Sequence, residues 1–238
     1  MDKFQEKLRI KTYHVDKDGK LSVHQLFNFM QEAAYRHSVL GAFGQPDLAK
    51  LDLVWMLSRM NVVLYKEALL GETVEITSWV RSIVGAFSER DFLFTCNKEV
   101  VAKATSLWVC LSITAIKPTH IPPQIVKKMN QLTNESRDVL TAKIASIKGL
   151  SDSFKYRVQQ SDVDMVKHTN NVAYVRMVMD TIRFEKTLIQ IEVNYLKQSF
   201  LDNKLIVNTQ EVDNATSLHE VVNEDGGVVC RLKTKWDS

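Results

Sequence analysis

The chain repeats itself, and that repetition constrains its fold more tightly than any local motif. The stretch YHVDKDGKLSVHQLFNFMQEAA sets Asp16, Asp18 and Ser22 ahead of apolar positions at Val23, Leu26, Phe27, Met30, Ala33 and Ala34. In QQSDVDMVKHTNNVAYVRMVMDTI, Asp162, Asp164 and His168 follow those three polar positions at an offset of 146, ahead of Val172, Val175, Val178, Met179 and Ile182. YKEALLGETVEI and LKQSFLDNKLIV match at an offset of 131, pairing Lys66 with Lys197, Glu67 with Gln198 and Ala68 with Ser199. VVAKATSLW and VVCRLKTKW match at an offset of 128, pairing Trp108 with Trp236. Three blocks recurring in the same order describe one supersecondary unit used twice.

Within each unit the apolar spacing after the Asp-x-Asp turn is helical, and alternation such as Val74 and Ile76 in TVEITSW marks strands. The β-rich TSLWVCLSITAI also reads as strand, because Lys103 just before it and its interspersed hydroxyls argue against a membrane span. One long helix followed by several strands predicts an α+β unit whose helix buries its stripe on an antiparallel sheet. The boundaries expected are 1–128 for the first unit, 129–150 for a connector and 151–238 for the second. Three of the four prolines fall in the stretch leading into the connector, which then turns polar, with a short helix expected around Ile125 to Leu132.

Bulk composition narrows the function classes. A net charge of +3 is far from the clustered Lys/Arg stripe of a nucleic-acid binder. No stretch approaches the ~20 apolar residues that cross a bilayer, and MDKFQEKLRI lacks the apolar core of a signal peptide, so the expected location is cytoplasmic. Cys96, Cys110 and Cys230 are widely separated, with no metal-ligand spacing, and read as reduced core thiols. Neither a metal nor an organic cofactor is expected.

Taken together, WMLSRMNVVLYKEALLGETVEITSWV, RDFLF, AKATSLWV, IPPQIV and DVDMVKHTNNVAYV resemble the acyl-acyl-carrier-protein thioesterases of fatty-acid biosynthesis over nearly the whole chain. The resemblance implies a tandem, or double, hotdog fold, each hotdog a long helix wrapped by an antiparallel β-sheet. It also implies that the first hotdog is the acyl-chain side and the second the catalytic side. The family motif has the form D-x-D-x-N-x-H-x-N-N. Here Asp162, Asp164, His168, Asn170 and Asn171 fit it, while Val166 stands where the family has an asparagine. Downstream, the family's Tyr-Arg-Arg-Glu-Cys corresponds to Tyr195, Leu196, Lys197, Gln198 and Ser199. A cysteine-protease-like mechanism therefore has no thiol here. In single-hotdog acyl-CoA thioesterases the catalytic aspartate precedes a helix tyrosine by ten residues, a spacing that Asp164 and Tyr174 reproduce.

Thioester hydrolysis needs a nucleophile and stabilisation of the developing oxyanion, since a thiolate leaves readily. Asp164, just before a helix expected to begin near Thr169 or Asn170, would activate water or attack the thioester directly. Helix N-terminal N–H groups would receive the oxyanion. His168 would orient Asp164 or polarise the carbonyl, and Gln198 would position water, because an amide cannot act as a base. Asp162 suits a structural turn role better, and Asn170 and Asn171 suit capping. Met30 and Met56 are core or tunnel-wall positions, and Lys127, Lys128 and Lys197 are candidates to meet an acidic carrier protein. The expected activity is hydrolysis of fatty acyl-carrier-protein thioesters by a monomer or homodimer. An acyl-CoA thioesterase and a catalytically weak acyl-carrier or lipid-binding protein are the alternatives.

Overall fold

The computed structural model describes residues 2–129, 142–182 and 186–237, which form two compact units, Met1–Thr141 and Ala142–Ser238. In the first unit, β1 (Phe4–Arg9) leads through a 3-10 turn (Thr12–His14) to α1 (Val23–Leu40) and the short α2 (Gln45–Ala49). Strands β2 (Leu53–Leu64), β3 (Thr73–Val84), β4 (Phe87–Cys96) and β5 (Glu99–Ser112) follow, then β6 (Lys117–Pro118) and α3 (Pro123–Val126). The second unit repeats the plan. Its β7 (Asp152–Arg157), a 3-10 turn (Gln160–Asp162) and α4 (Asn171–Met179) precede β8 (Leu188–Tyr195), β9 (Lys204–Asp213), β10 (Thr216–Asn223) and β11 (Val228–Trp236).

Strand order is the same in both units: β1-β3-β4-β5-β2 in the first and β7-β9-β10-β11-β8 in the second. Each of these pairings is antiparallel. The buried face of α1 carries Leu26, Phe27, Met30, Ala33 and Ala34, the positions that the helical spacing marks, and α1 packs against β1 and β3. α4 buries Val172, Val175 and Val178 and packs against β10 and β11. A further core of the first unit joins Phe43 and Leu48 with Val80, Cys110, Ile121 and Ile125. All three cysteines are free and buried.

Three local expectations shift. The connector helix covers only Pro123–Val126, and residues 130–132 of the expected span lie outside the described residues. α4 stops at Met179, short of Ile182. β5 ends at Ser112, and the following ITAI forms a turn because Asp52 captures its hydroxyls. Ser112 Oγ donates to Asp52 Oδ2 (2.9 Å) and Thr114 Oγ1 to Asp52 Oδ1 (2.8 Å), while Ile116 takes φ +51°. Met30 is fully buried, whereas Met56 is 37% exposed.

The first repeat block is also displaced by two residues from the sequence match. Ser22 N–H donates to the His14 carbonyl (3.0 Å) and Asn170 N–H to the Asp162 carbonyl (2.7 Å). The isolated bridge Val15–Leu21 recurs as Val163–Thr169. The structural offset is thus 148, so Asp164 corresponds to Asp16, His168 to Lys20 and Asn170 to Ser22, not the pairings at 146. The Asp-x-Asp text lines up at 146, but hydrogen bonding, not residue identity, sets the register. Offsets 131 and 128 hold: Tyr65 and Lys66 both donate to the Val101 carbonyl, as Leu196 and Lys197 do to that of Val229.

Candidate active site

Residues 162–170 form a tight loop between the 3-10 turn and α4. Asp164 closes it by accepting the N–H groups of Val166 (3.0 Å) and His168 (3.2 Å) at Oδ1. Its own N–H donates to the His168 carbonyl (2.9 Å), and Lys167, at φ +65°, donates to the Asp164 carbonyl (3.0 Å). A short side chain that can hydrogen-bond its own following backbone is what such a turn requires. Asn170 then caps α4, its side chain accepting from Val172 N–H at 3.0 Å, as expected of that residue. The N–H of Asn171, at the first position of α4, belongs to the donors that the helix's own ladder leaves out, and it points with the helix dipole toward the loop.

Asp162 has a different job. It is buried and pairs with Arg176, while Oδ2 accepts Tyr156 O–H (2.9 Å) and Gln159 N–H (2.7 Å). Burial and the hydrogen bond to Asp162 hold the Tyr156 phenol above its usual pKa, so it stays a donor. This is the structural role that the sequence assigns to Asp162.

Of the three residues expected to act together, Asp164 and His168 are half-buried in the loop and Gln198 is exposed on the segment after β8. The His168 ring meets Phe200 edge-on at 5.2 Å. Among the described residues no hydrogen bond joins the three side chains to one another. Backbone placement still keeps the loop and the segment together, since Thr169 N–H donates to the Ser199 carbonyl at 2.8 Å. At the equivalent positions of the first unit, Lys20 reaches Glu67 at 2.6 Å. Positions 168 and 198 therefore flank the Thr169–Ser199 backbone hydrogen bond, as 20 and 67 flank that between Leu21 and Ala68.

Beneath the loop lies a cluster that sequence reasoning missed. Ser199 Oγ is 2.8 Å from Thr169 Oγ1 and 2.7 Å from Tyr174 Oη, and Ser199 N–H donates to Tyr174 Oη (3.1 Å). The Tyr195 ring lies 6.4 Å from that of Tyr174, and its hydroxyl is buried with no hydrogen-bond partner among the described residues. Burial pushes the Tyr174 phenol up, that of Tyr195 well up, and the Cys230 thiol up. The signal was present in the repeat: at offsets 148 and 131 these hydroxyl residues replace Leu21, Leu26, Leu64 and Ala68. Among the described residues no three His, Cys, Asp or Glu side chains converge as metal ligands would.

Two helix-and-sheet units with an aspartate-closed loop ahead of the second helix define the class of double-hotdog proteins. The particular family follows from comparison: the acyl-ACP thioesterase N-terminal domain matches residues 1–129 and the C-terminal domain residues 147–238, and the chain belongs to the acyl-ACP thioesterase family. The fold is that of a solved acyl-ACP thioesterase from Bacteroides thetaiotaomicron (TM-score 0.91, 21% identity, 99% of this chain and 98% of that one). The 12:0-ACP thioesterase of Umbellularia californica superposes with TM-score 0.86 at 23% identity, covering 99% and 97%. Among curated relatives, the chloroplastic palmitoyl-acyl carrier protein thioesterase of Gossypium hirsutum is 26% identical over 98% of this chain. The chain spans 63% of that relative's length.

Proposed function

We propose that the protein hydrolyses the thioester of a fatty acyl-acyl carrier protein, releasing the free fatty acid and the carrier thiol. The observation that carries this reading is the Asp164 loop at the N-terminus of α4, in a chain whose family is the acyl-ACP thioesterases. Oδ1 of Asp164 is held by two backbone N–H groups, which fixes the carboxylate and leaves Oδ2 for water or for the carbonyl carbon. The N–H of Asn171 and the α4 dipole suit the developing oxyanion, a contribution of ~2.7–4 kcal/mol per donor in other hydrolases. His168, whose backbone N–H holds Oδ1, would orient the carboxylate or polarise the carbonyl with its ring, and Gln198 would offer an amide for water. With Val166 and Gln198 in place of the Asn and Glu of the motif that the sequence resembles, the chemistry rests on Asp164 and His168.

Lys127, Lys128 and Lys197 are exposed and suit an acidic carrier. Attraction of this kind is screened by salt, so the apparent affinity for acyl-carrier protein should fall as ionic strength rises. The deciding experiment is steady-state hydrolysis of a chain-length series of acyl-carrier-protein thioesters beside the matching acyl-CoAs. Preference for the carrier-bound series supports the proposal. Preference for CoA selects the acyl-CoA thioesterase, and tight binding without turnover selects a carrier- or lipid-binding role.

A further inference from the structure

The second unit places hydroxyls where the first has hydrocarbon. Thr169, Tyr174 and Ser199 occupy the positions of Leu21, Leu26 and Ala68, in the same backbone setting: Leu21 N–H donates to the Ala68 carbonyl and Thr169 N–H to that of Ser199, each at 2.8 Å. The first unit shows that this fold closes with no polar side chain at these three places. Ser199 and Tyr174 are 1% and 2% exposed, so their hydroxyls have exchanged water for one another. Burying such groups gains little net stability over a well-packed apolar trio. What they add is direction: hydrogen bonds hold side chains to a narrower set of distances and angles than apolar contacts do.

We propose that Thr169, Ser199 and Tyr174 form a positioning device that fixes the Asp164–His168 loop against the segment carrying Gln198, and that Ser199 acts in this way and not as a nucleophile. Thr169 directly follows His168 and Ser199 directly follows Gln198, so the Thr169–Ser199 hydrogen bond ties together the two backbone segments that present them. Tyr174, on the first turns of α4, receives the Ser199 N–H and bonds its Oγ, which locks the segment to the helix whose N-terminus faces the loop. In both the Thr169–Ser199 and the Tyr174–Ser199 hydrogen bonds either hydroxyl can donate. Every partner of Ser199 Oγ is itself a hydroxyl, and no described His, Asp, Glu or Lys side chain is placed to take its proton. A serine without a base is a poor nucleophile at neutral pH.

For its kinetic arm the inference rests on the thioesterase reading, and a second arm is independent of it. Thr169→Val, Ser199→Ala and Tyr174→Phe each remove one hydroxyl, whereas Thr169→Ser keeps it. Misplacement of catalytic groups by an ångström costs about 100-fold. The three deletions should therefore lower kcat on acyl-carrier protein by roughly 10- to 100-fold with KM nearly unchanged, and Thr169→Ser should retain most activity. Ser199→Ala combined with Tyr174→Phe should be little worse than either alone, as for members of one unit. In parallel, hydrogen exchange at the amides of Asp164, Val166, His168 and Thr169 should quicken in the deletions and not in Thr169→Ser. Unchanged kcat together with unchanged exchange would reduce the cluster to packing, and an acyl adduct found on Ser199 by mass spectrometry would overturn the non-nucleophilic assignment. Should the wild type fail to hydrolyse any thioester, the proposed function falls, while the exchange arm still decides whether these hydroxyls hold the loop.

Discussion

In both units an aspartate closes the loop before the long helix, and it does so in the same way. Asp16 Oδ1 accepts the N–H groups of Asp18 (2.9 Å) and Lys20 (3.0 Å), as Asp164 Oδ1 accepts those of Val166 and His168. Gly19 takes the left-handed position at φ +74°, where the second unit tolerates Lys167. What differs is the surroundings. In the first unit the neighbour of the loop is Lys20, neutralised by Glu67, over an apolar floor. In the second it is His168, with an uncharged Gln198 at the position of Glu67, over a floor of hydroxyls. The lesson is that loop closure by the aspartate belongs to the fold in both places, and that the two units differ in what surrounds it.

The sharpest way to break this comparison is to remove both carboxylates in turn. Asp164→Asn should lower turnover of acyl-carrier protein by about 10²–10⁴-fold, the range of a positioned acid–base group. Asp16→Asn should leave kcat nearly unaltered, since Asn still accepts both loop N–H groups. Equal losses in the two variants would mean that the loop matters only as structure.

Stability separates the units next. Asp162→Ala strips the buried partner from Arg176 and leaves Gln159 N–H and Tyr156 O–H without an acceptor. Thermal or denaturant unfolding should show a loss of about 3 kcal/mol. The counterpart in the first unit is His14, which meets Lys11 N–H through Nδ1 at 3.2 Å and is only half-buried. His14→Ala should cost under about 1 kcal/mol, within the net worth of a partly exposed hydrogen bond. Comparable losses would erase the distinction.

Acid provides a third contrast. His219, in β10, lies between Thr209 and Thr234, and burial lowers its pKa from 6.5 to about 4. Between those values the unfolded chain binds a proton that the folded chain refuses. The stabilisation is therefore complete above about pH 6.5 and falls by ~3 kcal/mol as the pH drops toward 4. At the equivalent step of β4 stands Phe92, which does not titrate. His219→Phe should flatten the second unit's loss between pH 6.5 and 4 in a pH series of unfolding curves. A slope that survives the substitution would point to other groups.

The smallest expected change comes from copying one residue across the repeat. Gln198→Glu gives the second unit the carboxylate that Glu67 supplies in the first. A rise in kcat of a few-fold would show that an acid at this position still fits the site, on the scale of a weak general-base contribution. A lower rate would show that the site has settled around the amide.

Much of this was legible without coordinates. Helical spacing after each Asp-x-Asp, strand alternation and two of the three offsets reported a repeated α+β unit, because periodic burial leaves a periodic pattern in the text. Asp164 and His168 could be picked out from the motif they fit, Gln198 from its match to Glu67 in the repeat, and the capping role of Asn170 from its place before an apolar helix. The two-residue slip of the first block shows the limit. Asp162 and Asp164 look alike as letters, yet one is a buried ion-pair partner and the other closes the loop.

Only the tertiary structure decided that Asp164 matches Asp16 and that Asp162 meets Arg176, since that depends on which backbone N–H groups and which arginine come within about 3 Å. The same holds for Thr169, Tyr174 and Ser199. They are up to 30 residues apart along the chain, and each looks unremarkable in its local context. Hydrophobic periodicity is a property of one element and can be read along it, whereas a hydrogen-bonded cluster is a property of several elements at once. Sequence therefore determined the architecture of this protein, and the packing of helix, loop and strand end determined the chemistry presented there.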